Sequence, residues 1–120
     1  MGKSEPKTDL LPGTLEMLIL RALERKGEAM HGYGIAQFIK NVSNEVLKVE
    51  EGSLYPALQR LALKGLVKAE WGVSANNRRA RFYRLTPAGR RELARELEDF
   101  EKILSGILRL LRPARSGGET

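Results

Sequence analysis

The segment from Thr86 to Arg112 limits what this chain can become more than any other. Thr86-Pro87 opens a helix, with Thr as N-cap and Pro at the first helical position, where a missing N–H costs nothing. Leu93, Leu97, Phe100, Leu104, Ile107 and Leu111 follow at alternating steps of four and three, and Leu108 widens the stripe. That spacing is a heptad seam. A helix running to about Arg112 spans roughly 40 Å at 1.5 Å per residue. The residues before it form too small a domain to cover such a stripe, so part of the seam requires another chain, and a homodimer is expected. Leu15 and Leu18 of the first helix are expected to join the same interface. The alternative is that the stripe packs on its own domain. Off the seam, Arg95–Asp99 and Glu98–Lys102 are i,i+4 pairs of opposite sign.

Upstream, the apolar residues repeat at helical spacing in three short stretches. Pro12-Gly13-Thr14 reads as a helix start, followed by Leu15, Leu18, Ile19, Ala22 and Leu23 on one face, with Gly27 as the stop. Ile35, Phe38, Ile39 and Val42 mark a second helix beginning after His31-Gly32, and Asn41, Ser43 and Asn44 supply turn chemistry at its end. Leu47-Lys48-Val49 is expected to form a very short strand. A third helix starts near Gly52-Ser53, with Pro56 in its first turn, Leu54, Ala57, Leu58 and Leu61 inward, and Gly65 as the stop. Glu50 and Glu51 stand at the positive end of its dipole. Two strands follow, Leu66–Trp71 and Arg81–Leu85, joined by the polar loop 72–80.

The expected fold is mainly α with a small β-hairpin: a winged helix-turn-helix plus a long C-terminal dimerisation helix. The divisions are a flexible N-terminus at 1–11, the winged domain at 12–85, the dimerisation helix at 86–112 and a flexible tail at 113–120. A single domain of this size buries roughly two-thirds of its unfolded surface and needs no staples.

Composition removes several function classes. There is no cysteine and one histidine, His31. Disulfides, thiolate metal sites and His/Cys zinc sites are therefore excluded, and no cofactor or metal is expected. The longest apolar runs fall short of a membrane span, and Met1–Pro6 lacks the apolar core of a secretory signal. Met1-Gly2 begins like a myristoylation site, but Pro6 stands where Ser or Thr is wanted. A cytoplasmic protein with no membrane partner is expected. Paired acids such as Glu50-Glu51 or Glu92 and Glu96 have no nucleophile near them in sequence, so an enzyme is not expected.

The formal charge is +6, and it is segregated: six arginines and no acid lie between Trp71 and Arg91. A concentrated basic segment favours a polyanion. Three short helices followed by a basic hairpin are the elements of a domain that reads double-stranded DNA. The third helix is narrow enough for the major groove. Its outward residues are expected to be Ser53, Tyr55, Gln59, Arg60 and Lys64. Ser, Gln and Arg suit base edges, whereas Tyr and Lys more often hold phosphates. Asn76, Asn77, Arg78, Arg79 and Arg81 lie at or beside the hairpin tip, placed to follow the backbone or enter a narrow minor groove. A winged helix that binds protein instead of DNA is the alternative.

The residues resemble the PadR family of bacterial transcriptional regulators, from Asp9-Leu10-Leu11 to the end of the last helix. The resemblance is carried by Met30-His31-Gly32-Tyr33-Gly34-Ile35, by Val49-Glu50-Glu51-Gly52-Ser53-Leu54-Tyr55-Pro56-Ala57-Leu58, by Glu70-Trp71-Gly72, and by the run Asn76 to Thr86. The chain is most similar to the short PadR-like group of acidobacteria. The resemblance implies a homodimer, repression by operator binding, and release by an effector whose identity it does not give. It implies that Tyr55, Pro56 and Gln59 face DNA, flanked by the Arg78–Arg81 wing, and that Tyr33 lies near a phosphate. By its own sequence position, Tyr33 reads equally as a core aromatic. The only tryptophan, Trp71, stands in the hairpin rather than on the last helix. The tryptophan-lined drug pore of some short members is therefore not expected.

Overall fold

A computed structural model describes residues 13–114; the expectations for residues 1–12 and for 115–120 lie outside the described residues. The elements, in chain order, are α1 (Thr14–Lys26), β1 (Met30–His31), α2 (Gly32–Val42), α3 (Glu51–Leu63), β2 (Val67–Val73), β3 (Arg79–Leu85) and α4 (Pro87–Leu111). The three strands form one antiparallel sheet in the order β1-β3-β2. Among the described residues the fold is four helices with a small three-stranded sheet.

Local chemistry sets the element ends. α1 closes on Gly27 at φ 76°, a left-handed conformation that suits glycine, and its N–H bonds back to the Leu23 carbonyl. His31 caps α2, its Nδ1 accepting from the Gly34 N–H at 3.0 Å. Thr86 caps α4 and fastens it as well. Its hydroxyl accepts from the Gly89 N–H at 2.9 Å and donates to the Gly65 carbonyl at 2.8 Å. Its own N–H reaches the Leu66 carbonyl at 3.2 Å. The root of α4 is thus tied to the connection between α3 and β2.

One core holds these elements together. Ile19, Leu20 and Leu23 of α1 meet Ile35 and Ile39 of α2, Leu54, Ala57, Leu58 and Leu61 of α3, and Val67 and Tyr83 of the sheet. Leu93 of α4 belongs to the same core and is 0% exposed. Leu15, Leu18, Leu97 and Phe100 are half-buried against it. Burying a side chain such as Leu93 is worth about 2 kcal/mol.

Four expectations need correction. No strand forms at Leu47-Lys48-Val49. Leu47 and Val49 are half-buried against the core instead, and the third strand is Met30–His31. β3 already has a neighbour on each edge, β1 pairing Met30 with Tyr83 and β2 pairing Val67 with Leu85. The hairpin strands are longer than expected, because Trp71↔Arg81, Gly72↔Ala80 and Val73↔Arg79 still pair, so the connection shrinks to 74–78. α3 starts at Glu51, which moves Pro56 from the first turn into the second. Leu93 cannot be a dimer contact, since its own domain already encloses it.

The second half of α4 leaves the core. Ile103, Leu104, Ile107, Leu110 and Leu111 are all exposed, Leu110 to 84%. The molecule is correspondingly long, with a radius of gyration of 17.2 Å. A compact chain of this size would have about 13 Å. Of the two surface pairs expected on α4, Arg95–Asp99 forms at 3.7 Å; Glu98–Lys102 is not within ion-pair distance among the described residues. No helix of the described residues is long and apolar enough to cross a membrane.

Gly89 gives a sharp test of the α4 root. A Cβ there would fall on the Leu66 carbonyl oxygen and also press on Leu85. The obstacle is backbone and cannot rotate away. Gly89→Ala should therefore cost about 2–3 kcal/mol and lower Tm by roughly 10 °C. A melting curve that overlays the native one would show that α4 is not seated as described.

Candidate nucleic-acid interface

The orientation of α3 follows from its buried residues. Leu54, Ala57, Leu58 and Leu61 face inward. At 3.6 residues per turn the opposite face carries Gly52, Pro56, Gln59 and Leu63. All four are exposed, Leu63 to 82%. Tyr55 lies on the edge toward α2, close enough to Gly32 that a Cβ at that glycine would strike its ring. Ser53, Arg60 and Lys64 lie on the edge toward α1 and are also exposed.

The two basic residues on that edge are already engaged. Glu16 of α1, with 14% of its side chain exposed, accepts from Arg60 Nε at 2.6 Å and from Lys64 Nζ at 3.1 Å. Burial pushes the Glu16 carboxyl up, but the hydrogen bonds and charges of Arg60 and Lys64 outweigh it and hold the group below the usual carboxylate range. Both side chains are exposed, as the sequence led us to expect, but they stand paired with Glu16 rather than free.

On the other edge the expected residues converge. An open cleft of roughly 910 Å³ lies between the start of α2, Tyr55 of α3 and the inner face of the hairpin. Tyr33, Tyr55, Trp71, Arg78, Arg79 and Arg81 line it, with Asn76. Tyr33 is 65% exposed, so it is not a core aromatic. Burial, with Glu51 and Tyr83 nearby, pushes the Tyr55 phenol up, so Tyr55 keeps its proton and can donate to an oxyanion.

The turn at the hairpin tip is held by its own polar groups. The Ser74 hydroxyl donates to Asn76 Oδ1 at 2.7 Å, the Asn77 N–H bonds the Ser74 carbonyl at 2.9 Å, and Asn77 takes φ 61°. Asn is among the few residues that tolerate that conformation. Not all six arginines of the basic segment are free. Arg84 pairs with Glu70 across the hairpin, and Arg90 approaches Glu24 at 3.6 Å. What remains on the cleft wall is Arg78, Arg79 and Arg81.

Two residues at this surface were missed from the sequence. Leu63 stands four residues after Gln59, so helical spacing alone could have placed it on the outer face. Trp71 faces Arg81 across the hairpin, and only the register reveals that.

Helices α1 to α3 followed by a two-stranded wing make this a winged-helix fold. A winged-helix DNA-binding protein from STIV shares it, with a TM-score of 0.64 over 78% of this chain and 95% of that one, at 20% identity. Residues 19–95 match the transcriptional regulator PadR-like family, and the chain belongs to it. A transcriptional regulator from Clostridium thermocellum is similar in structure, with a TM-score of 0.73 and 27% identity over 83% of this chain and 95% of that one. A transcriptional regulator of Mycobacterium tuberculosis is 35% identical over 79 residues, 66% of this chain and 70% of that protein. The chain is accordingly a transcriptional regulator.

On α4, within the field of Glu16 of α1, Glu96 is set up to titrate near neutrality. Burial pushes its carboxyl up to about 7, assisted by a hydrogen bond and the charge of Glu92, with Arg95 opposing and Glu16 adding to the rise. An unfolded Glu titrates near 4.3. A folded value raised this way favours the protonated fold. The contribution is complete below the unfolded value and is lost as pH climbs through about 7. Native Tm should therefore fall between about pH 5 and pH 8, and Glu96→Gln should flatten that fall. Identical pH profiles for the two proteins would contradict the assignment.

Proposed function

We propose that this regulator is a repressor that binds a pseudo-palindromic operator in double-stranded DNA as a homodimer. The observation that carries this is a single cleft that joins α3, through Tyr55 at the edge of its outer face, to the hairpin wall bearing Arg78, Arg79 and Arg81. In this reading Pro56 and Gln59 meet base edges in the major groove, with Ser53 at the mouth of the helix. Tyr33 and Tyr55 hold the adjoining phosphates as neutral donors. The wing arginines, with Asn76 and Asn77 shaping the tip, follow the backbone or the neighbouring minor groove. Arg60 and Lys64, held by Glu16, add to the positive field rather than to base contacts. Such a regulator works where the chromosome is, in the cytoplasm. A small dimer acts most simply by occlusion, which is repression.

The dimer surface in this proposal is the outer half of α4: Ile103, Leu104, Ile107, Leu108, Leu110 and Leu111. It is narrower in length and wider in arc than the seam expected from the sequence. Leu97, Phe100, Leu15 and Leu18 border it from the domain side. Exposed apolar side chains crowded on one projecting helix are costly in water, and a second copy removes them from it.

Selection of bound sequences from random DNA tests the whole proposal. Two half-sites related by a two-fold axis are expected, with centres about 34 Å apart or a multiple of it. Affinity should fall by on the order of a thousandfold or more between 50 and 200 mM salt, if roughly 6–10 phosphates are contacted. Binding indifferent to salt would instead indicate a protein partner. Gln59→Ala should relax base preference, and Arg79→Ala should weaken all sequences about equally; the reverse pattern would refute the assigned roles. Ile107→Asp should leave the domain folded, shift the sedimentation coefficient to that of a monomer, and lower operator affinity by more than about tenfold. An Ile107→Asp protein that still sediments as a dimer would rule out the α4 interface.

A further inference from the structure

We infer that Trp71 is the positioning residue of the wing: its indole ring holds Arg79 and Arg81 in the direction from which they meet a phosphate backbone. The inference rests on the DNA-binding function proposed above.

The sheet's geometry explains why such a residue is needed. Val67, Ala69, Trp71 and Val73 alternate onto one face of β2, and Leu85, Tyr83, Arg81 and Arg79 stand opposite them on the same face of β3. Near the domain this face is core, with Val67 and Tyr83 buried. Past Ala69 the hairpin extends beyond the helices, and the same face has nothing to cover it. Trp71 is 58% exposed there and Val73 is exposed too. A large apolar ring on a projecting strand gains little from the core.

What the ring does have is two cations. The guanidinium carbon of Arg79 lies 4.4 Å from its centroid and that of Arg81 lies 5.5 Å away. Both distances are within the range of a cation–π interaction, and arginine also stacks its planar head on an aromatic surface. Two like charges two residues apart on one strand would otherwise repel and splay into solvent. Held against one ring, both guanidinium groups meet its negative π surface, and all three residues line the same cleft as Tyr33 and Tyr55. An arginine side chain surrenders much rotamer freedom when it is fixed on a ligand. The stack removes part of that freedom before DNA arrives, so less is lost on binding.

Trp71 is the chain's single tryptophan, so fluorescence excited at the red edge of the indole band, where tyrosine does not absorb, reports on this ring. In the free protein, Arg79→Ala should change the indole emission, and Arg81→Ala should change it less, following the two distances. An emission spectrum indifferent to both would overturn the inference without any DNA present.

The binding test uses a mixed-sequence DNA duplex at low salt. Trp71→Ala should weaken binding roughly three- to tenfold while leaving the salt slope nearly unchanged, because the charges are still there. Trp71→Phe, which keeps an aromatic face, should recover most of the loss. In a double-mutant cycle, Arg79→Ala should cost clearly less in the Trp71→Ala background than in the native one. Additive losses, or a Trp71→Phe protein as weak as Trp71→Ala, would reduce Trp71 to an ordinary wing residue and overturn the inference alone. A native chain that ignored every duplex would overturn this inference together with the function beneath it. Should Trp71→Ala fail to fold, the emission of the arginine variants and the behaviour of Trp71→Phe still decide.

Discussion

The burial of four side chains on α3 governs everything this molecule presents to a partner. Leu54, Ala57, Leu58 and Leu61 are enclosed by α1, α2 and the sheet. Rotating the helix by one residue would expose at least one of them and bury a polar neighbour, at a cost of a few kcal/mol. The core thus chooses which residues point outward. The exposed strip of Gly52, Pro56, Gln59 and Leu63 is a consequence of hydrophobic packing, although the role we propose for it lies with hydrogen bonding and shape. Glu16 reinforces the choice from one side, holding Arg60 and Lys64 against α1. Tyr55 reinforces it from the other, lodged over Gly32 where no larger residue would fit.

α4 belongs to two environments. Its first three turns are part of the domain: Thr86 is bonded to Gly65 and Leu66, Gly89 sits against the Leu66 carbonyl, and Leu93 is fully enclosed. Its last two turns carry apolar residues and have no domain beneath them. Because the two parts are one continuous helix, the position of the exposed half relative to α3 and the wing is fixed by the buried half. A helix of 25 residues transmits that geometry with little play. In the dimer we propose, the separation of the two α3 helices would therefore be set by how the α4 roots are seated.

Much of this fold was legible in the residues, and the failures have physical causes. Helices were read well because each carried a long period-3.6 stripe and recognisable ends, such as Gly27, Gly65 and Thr86-Pro87. The short strand was misplaced. Leu47-Lys48-Val49 has the composition of a strand but finds no edge to pair with, whereas Met30–His31 pairs because the chain returns it to β3. No local pattern encodes that return. The polar stretch 72–80 was read as loop, yet four of its nine residues are strand, since a hairpin that projects into solvent needs no apolar alternation. The seam on α4 was correctly periodic but could not say where domain ended and free helix began; Leu93 and Ile107 are equivalent in pattern, yet one is buried and the other exposed. At the candidate interface, residue type and spacing found the tyrosines and the wing arginines. They could not show that Arg60 and Lys64 are claimed by Glu16, forty-odd residues earlier, or that Trp71 lies under two guanidinium groups.

Pro56 in the second turn of α3 leaves a mark of its own on the outer surface. Its ring nitrogen has no hydrogen, so the Gly52 carbonyl one turn back is denied the bond that an uninterrupted helix would give it. Gly52 has no side chain to shield that oxygen, and open space surrounds the place where one would begin. The strip therefore carries one main-chain carbonyl that lacks its helical donor, fixed in place and carrying no rotamer entropy. It complements an amino group rather than a keto group. Substituting residue 52 cannot delete it; only replacing Pro56, which would restore the missing donor, could remove its vacancy.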